Sequence, residues 1–194
     1  MLIQDFMTRD PVTVQSNASV AEVRNLLAMS DFHRVPVMED DKLVGIVNWH
    51  RLVGEGSVKH CMVKNPVTAP PDTPIEEAAR IMIDNRISAL PVVDGEELVG
   101  IITMRDLFTV GVLALGARDA GVRISLLMPE MRGMLADVIN ALANLGAFFV
   151  SLVNIPAPSG SGELVTIKVQ DVTQEQVEDA LSDLSVEVRD IRTM

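Results

Sequence analysis

The sequence predicts an α/β chain in two parts, a pseudo-symmetric pair of βαββα repeats followed by a shorter βαββαβ unit. Three observations carry that expectation. Of the 194 residues, 48% are hydrophobic and 22% charged, the balance of a packed globular chain rather than a disordered one. Sliding residues 7–52 onto 62–107, a shift of 55 without a gap, aligns twelve identities in forty-six positions. Beyond residue 121 the hydrophobic periodicity follows a different order of elements. With five Phe, one Trp and no Tyr, the cores must be filled by Val, Ile, Leu, Ala and eleven Met.

The identities of the repeat cluster. Met7, Pro11, Val12 and Thr13 meet Met62, Pro66, Val67 and Thr68, and Pro36-Val37 meets Pro91-Val92. Leu43-Val44-Gly45-Ile46 returns as Leu98-Val99-Gly100-Ile101. In the first repeat Ser19 and Glu22 have capping-box spacing, with Val20, Val23 and Leu27 as the apolar stripe of a helix. In the second, Thr73 and Glu76 have that spacing, and Pro74 suits a first helical turn. Ile75, Ala78, Ala79 and Met82 form its stripe. Residues 89–93 and 98–102 are apolar runs of strand length, with Asp94-Gly95 as a hairpin turn between them. Glu39, Asp40 and Asp41 occupy that turn in the first repeat. One such unit buries its apolar sheet poorly alone, so the two should pack together.

Charge and composition exclude several functions. A net charge of −11 argues against nucleic acid, since phosphate-backbone binding needs a basic surface. Cys61 is the only cysteine, so no internal disulfide forms, and it reads as inert core packing in a reducing, cytoplasmic setting. The start of the chain is acidic and lacks a signal-peptide apolar run, and residues 110–117 are too short to span a membrane. His33, His50 and His60 have no ligand spacing, so no metal site is expected.

The second repeat ends in Gly100-x-x-Thr103-x-x-Asp106 at a strand-to-helix junction. Free N–H groups at a helix start, with the Thr103 hydroxyl, can donate to a phosphate, and the Asp106 carboxylate can accept ribose hydroxyls. The same Thr-x-x-Asp spacing also fits a plain helix cap. Together with the entry Met-x-x-x-Pro-Val-Thr and the core Ile87-Ser88-Ala89-Leu90-Pro91-Val92-Val93-Asp94, these features resemble a pair of CBS domains. The resemblance implies repeats at residues 1–56 and 57–117, and a cleft that binds AMP, ADP, ATP or S-adenosylmethionine. It implies Thr103 and Asp106, with Ile101 and Arg105 beside them, as binding residues. It adds Ser16, Asn17, Ala18, Phe32 and His33 from the opposite repeat, and Ser88 and Ala89 near the phosphates. His33-Arg34 reads either as a polar strand edge or as a phosphate contact, since Arg offers bidentate donors.

The first repeat departs from the pattern. Asn48-Trp49-His50-Arg51 stands where Thr-x-x-Asp would be, so that cleft lacks a ribose acceptor. It is either empty, filled by Trp49, or adapted to a more anionic ligand through His50 and Arg51.

Residues 122–127, 148–155, 164–169 and 186–191 read as strands, with a helix over 131–145 stopped by Gly146 and another capped by Thr173 and Gln176. The loop 156–162 joins the middle strands. This βαββαβ order is ferredoxin-like. The stretch from Gly133 to Ala143 resembles the first helix of ACT domains, extending over most of 122–194. That resemblance implies an amino-acid site at the turn of Arg132, Gly133 and Met134, or a domain that only dimerises, since Met128-Pro129-Glu130-Met131-Arg132 replaces the usual turn. A CBS pair followed by an ACT-like domain is similar to the acetoin-utilisation regulatory family. The expected function is a non-enzymatic ligand sensor without a prosthetic group, a homodimer acting on a regulated enzyme or transporter. The alternatives are a structural dimerisation module and an amino-acid sensor.

Overall fold

The computed structural model describes residues 1–158 and 160–194; Ser159, in the predicted loop 156–162, lies outside them. The chain divides into two compact units, Met1–Thr109 and Val110–Met194.

The first unit holds the sheets of both repeats, and the 55-residue shift governs its geometry. Strands β1 (Thr8–Arg9) and β2 (Val14–Gln15) lead into helix α1 (Val20–Ala28) and the hairpin β3 (Arg34–Glu39) and β4 (Lys42–Asn48). The second repeat runs through β5 (Val63–Lys64), α2 (Ile75–Asp84), β6 (Ala89–Asp94) and β7 (Glu97–Thr103) to α3 (Met104–Ala114). Val14 pairs in parallel with Val37, and Ala69 bridges in parallel to Val92, each 55 residues on. Both hairpins carry a register shift at equivalent positions, Val37/Met38 and Val92/Val93. The first hairpin turns through Asp40 and Asp41, both at positive φ, as a tight primed turn requires.

The entry strands are exchanged. β1 opens the first repeat but pairs with β7 of the second, Thr8 opposite Ile101 and Arg9 opposite Gly100. β5 opens the second repeat and pairs with β4 of the first, Gly45 opposite Lys64. Each repeat therefore completes the other's sheet. Val23, Val35, Val37, Val47 and Val58 are all but inaccessible in the first repeat's core, as are Ala78, Met82, Leu90, Val92 and Ile102 in the second.

Two of the three predicted capping boxes form. Ser19 accepts from the Glu22 N–H while Glu22 accepts from the Ser19 N–H, and Thr173 and Gln176 do likewise. The Thr73–Glu76 box does not. α2 begins one residue later than that spacing requires, with Pro74 as its cap in the place of Ser19, and the Thr73 hydroxyl donates to the Pro70 carbonyl instead (2.7 Å). A proline cap has no side-chain acceptor, so α2 starts uncapped.

The second unit runs β8 (Val122–Met128), α4 (Met134–Asn144), β9 (Phe148–Pro156), β10 (Glu163–Gln170), α5 (Gln174–Leu181), β11 (Glu187–Thr193), in the predicted order. Its sheet is antiparallel throughout, in the order β11-β8-β10-β9, which is the ferredoxin-like arrangement. Alternate residues of β8 (Val122, Ile124, Leu126, Met128) pack under α4 and α5. Each such side chain contributes about 1.5–3 kcal/mol by burial. Lys168 lies on the other face yet is buried, its ammonium donating to the carbonyls of Gly116 (2.8 Å) and Asp119 (2.9 Å) in the segment that follows α3. Among the described residues no helix is long and apolar enough to cross a membrane.

Candidate functional site

β7 ends at Thr103 and α3 begins at Met104, so Thr103 caps that helix. Its N–H and its hydroxyl both donate to Asp106 Oδ2, at 2.8 and 2.7 Å, and the Asp106 N–H points back at Thr103 Oγ1 at 3.4 Å. The helix-cap reading of this spacing is therefore realised. Asp106 Oδ1 has no partner among the described residues and remains free to accept. The Met104 N–H donates to the Ser88 carbonyl (3.1 Å), which draws the start of β6 to the head of the helix.

Around this junction opens a cleft of about 880 Å³, within the usual size range of small-molecule sites. Its apolar lining comes from Pro11, Val12, Phe32, Pro36, Ile101 and Met104. Its charged lining comes from Asp10, Asp31, Arg34, Arg105 and Asp106, with Thr8, Ser30, His33, Ser88 and Thr103 as neutral polar groups or imidazole.

Seven of the predicted binding residues meet in this cleft: Thr103, Asp106, Arg105, Ile101, Ser88, Phe32 and His33. Ala89 does not line it, because its side chain is buried in β6. Nor do Ser16, Asn17 and Ala18. Ser16 is buried; its hydroxyl donates to Glu39 Oε1 (2.9 Å) and its carbonyl accepts from the Lys59 N–H (2.9 Å), while the Ala18 carbonyl accepts from Val58. That turn is thus sewn to β3 and to residues 58–59. The Lys59 ammonium and the Ser16 hydroxyl both donate to Glu39 and hold its carboxyl below the usual range. In its place the entry segment Thr8, Asp10, Pro11 and Val12 supplies one side of the cleft. Sequence reasoning missed it. The motif Pro11-Val12-Thr13 was visible, but its crossing to β7 was not.

The equivalent junction of the first repeat keeps the backbone and loses the chemistry. The Trp49 N–H donates to the His33 carbonyl (3.2 Å), as Met104 does to Ser88. Asn48 caps a three-residue 3-10 turn, Trp49–Arg51, through its Oδ1 and the Arg51 N–H (3.1 Å). No carboxylate stands at the Asp106 position, and Trp49, His50 and Arg51 are all exposed.

In the second unit Gly133 caps α4 at φ +90, and a side chain there would meet nothing within 4 Å. Arg132 is exposed, whereas Met134 points into the core and away from the turn. A depression of about 460 Å³ lies instead around the start of α5, between Gly121 and Thr173. Among the described residues no group of three or more His, Cys, Asp or Glu could hold a metal ion.

The CBS-domain profile matches the chain twice, over residues 3–56 and 58–112. An inosine-5′-monophosphate dehydrogenase of Thermoplasma acidophilum is 40% identical over 110 residues, which are 55% of this chain and 23% of that protein. The match thus spans less than a quarter of that enzyme. Among solved structures, the CBS domain pair of protein MJ0100 in complex with 5′-methylthioadenosine and S-adenosyl-L-methionine is similar at a TM-score of 0.55 and 28% identity. It covers 61% of this chain and 98% of that one. A Vibrio cholerae structure assigned to acetoin utilization (AcuB) has a TM-score of 0.56 and 28% identity, over 61% of this chain and 96% of that one. CBSX2 in complex with AMP has a TM-score of 0.54 and 27% identity, over 57% and 96%. With two matched copies across residues 3–112, this chain belongs to the CBS-domain family as a tandem pair.

Proposed function

We propose that the chain is a non-enzymatic sensor that binds an adenine nucleotide or adenosine derivative in the cleft at the head of α3. The observation that carries this reading is the Thr103–Asp106 pair inside a cleft of about 880 Å³ with one carboxylate oxygen unpartnered among the described residues. The apolar lining takes the base, and Asp106 Oδ1 accepts from the ribose. The Thr103 hydroxyl is held in the helix cap, which suits a binding site better than a nucleophile. The adenosine ligands of the similar CBS pairs support the ligand class.

The βαββαβ unit acts as an ACT-like receiver in this reading. Helix α3 starts at the cleft and runs into the segment that Lys168 holds through Gly116 and Asp119. In this proposal α3 has two settings, a ligand that prefers one of them shifts the population toward it, and a homodimeric partner surface or a regulated enzyme or transporter reads the shift. The reading sets the protein in the cytoplasm.

The test is thermal unfolding and calorimetric titration of wild type and Asp106→Ala with AMP, ADP, ATP, S-adenosylmethionine and 5′-methylthioadenosine. A ligand at a hundred times its Kd stabilises by about 2.7 kcal/mol. For a chain of this length that raises Tm by roughly 5–10 °C. The expected result is such a rise with at least one ligand, lost when Asp106→Ala is compared with its own unliganded Tm. No rise with any of the five would leave a structural dimerisation module, or a sensor whose ligand binds the ACT-like unit.

A further inference from the structure

The charge in the cleft is not what a polyphosphate requires. Three carboxylates line it, Asp10, Asp31 and Asp106, against two guanidinium groups, Arg34 and Arg105. The unit around it carries ten basic and sixteen acidic residues, so the background field also repels anions. The head of α3 offers little in compensation. The Thr103 N–H and hydroxyl are taken by Asp106, the Met104 N–H by the Ser88 carbonyl, and the Asp106 N–H faces Thr103 Oγ1. Among the first helical donors only the Arg105 N–H is left for a phosphate.

The carboxylates of Asp10 and Asp31 have no hydrogen bond or ion pair to any described residue. At Asp10 the backbone sits at φ +45, a left-handed conformation that Asn and Asp tolerate best after Gly. Its counterpart 55 residues on, Asn65 at φ +48, meets the same demand without a charge. The backbone therefore asks for an Asn or Asp here, and folding does not require the negative charge.

We infer that this cleft selects adenosine ligands whose 5′ substituent is neutral or cationic over those bearing a polyphosphate, with Asp10 and Asp31 as the residues that set the selectivity. The inference rests on the adenosine reading of the site. A thioether or sulfonium nucleoside adds no repulsion to the three carboxylates, whereas each phosphate added at the 5′ position does.

The experiment titrates the full chain with 5′-methylthioadenosine and with ATP, in low salt and with EDTA so that no cation shields the phosphates. ATP is expected to bind at least ten-fold more weakly. In the double variant Asp10→Asn/Asp31→Asn that ratio should shrink several-fold, and added salt should shrink it in wild type. The Asn at position 10 suits its backbone, as Asn65 does in the other repeat. A wild-type ratio below ten, or a ratio that the double variant leaves unchanged, overturns the inference while the sensor reading stands. Failure of every adenosine compound to bind overturns the sensor reading, and the inference with it.

Discussion

At Gly45 and Gly100 there is no room for a methyl group. A Cβ on Gly45 would lie 2.5 Å from Met62 Sδ and 2.9 Å from the Val63 carbonyl, and one on Gly100 would collide with Met7 Sδ and sit 3.0 Å from the Thr8 carbonyl. The repeated Met and Gly are thus two halves of one contact, made twice across the exchanged strands. Gly45→Ala and Gly100→Ala should each lower stability by about 1–3 kcal/mol, because a thioether can yield but the strand carbonyl cannot. Gly111→Ala, inside α3 with open space around it, should instead raise stability by about 0.4–1 kcal/mol. Urea denaturation of the three variants decides; equal effects at all three positions would sink the packing argument. Thr103 and Asp106 could be picked out from the sequence because motif spacing marks them, and Phe32 because the resemblance to CBS pairs implies it. The buried Lys168 could not, since its burial comes from residues 116–119, remote in the chain.

At the scale of elements, periodicity and caps predicted the helices, and they erred where backbone geometry intervened. The expected helix at 131–145 starts only at Met134, because Gly133 at φ +90 ends the preceding turn. The expected box at Thr73 fails because α2 keeps the register of α1, which puts Pro74 at the cap. Where a box does form, it carries a pH signature. The Ser19 N–H and hydroxyl both donate to Glu22 and hold its carboxyl below the usual range. A carboxyl depressed in the folded state adds stability that is present above its unfolded pKa and lost as pH falls through the folded value. Stability should therefore decline as pH drops below about 4.3, the ordinary glutamate pKa. Glu22→Gln keeps a capping acceptor but cannot titrate, so its loss of stability between pH 6 and pH 3 should be smaller than that of wild type. Denaturation curves at both pH values test this, and parallel losses would refute it.

At the scale of the molecule, the exchange of β1 and β5 makes neither repeat a folding unit by itself. Residues 1–56 alone would lack β5 opposite β4, and would leave Met7 and β1 without Gly100 and β7. That fragment should be unfolded as a monomer, whereas residues 1–117 should melt cooperatively. Circular dichroism with light scattering checks both, and a cooperative monomeric fold for 1–56 would contradict the exchange. The exchange also builds the cleft. With Thr8 opposite Ile101, the entry segment of the first repeat lies beside the head of α3, so one site draws on both repeats.

The two-part architecture, the 55-residue symmetry, the order of elements in both units and the Thr103–Asp106 junction are legible in the chain of residues alone. These are local: a periodicity of 3.6 or 2, a turn dipeptide or a cap reports the face and the ends of one segment, whatever packs against it. Long-range packing, by contrast, makes β1 and β5 change places, brings Asp10 and Val12 rather than the Ser16 turn to the cleft, and buries Lys168. Two repeats with the same apolar pattern can pair each entry strand with its own sheet or with its neighbour's. The pattern is equally satisfied by both pairings, so the choice falls to long-range packing such as Met7 against Gly100 and Met62 against Gly45.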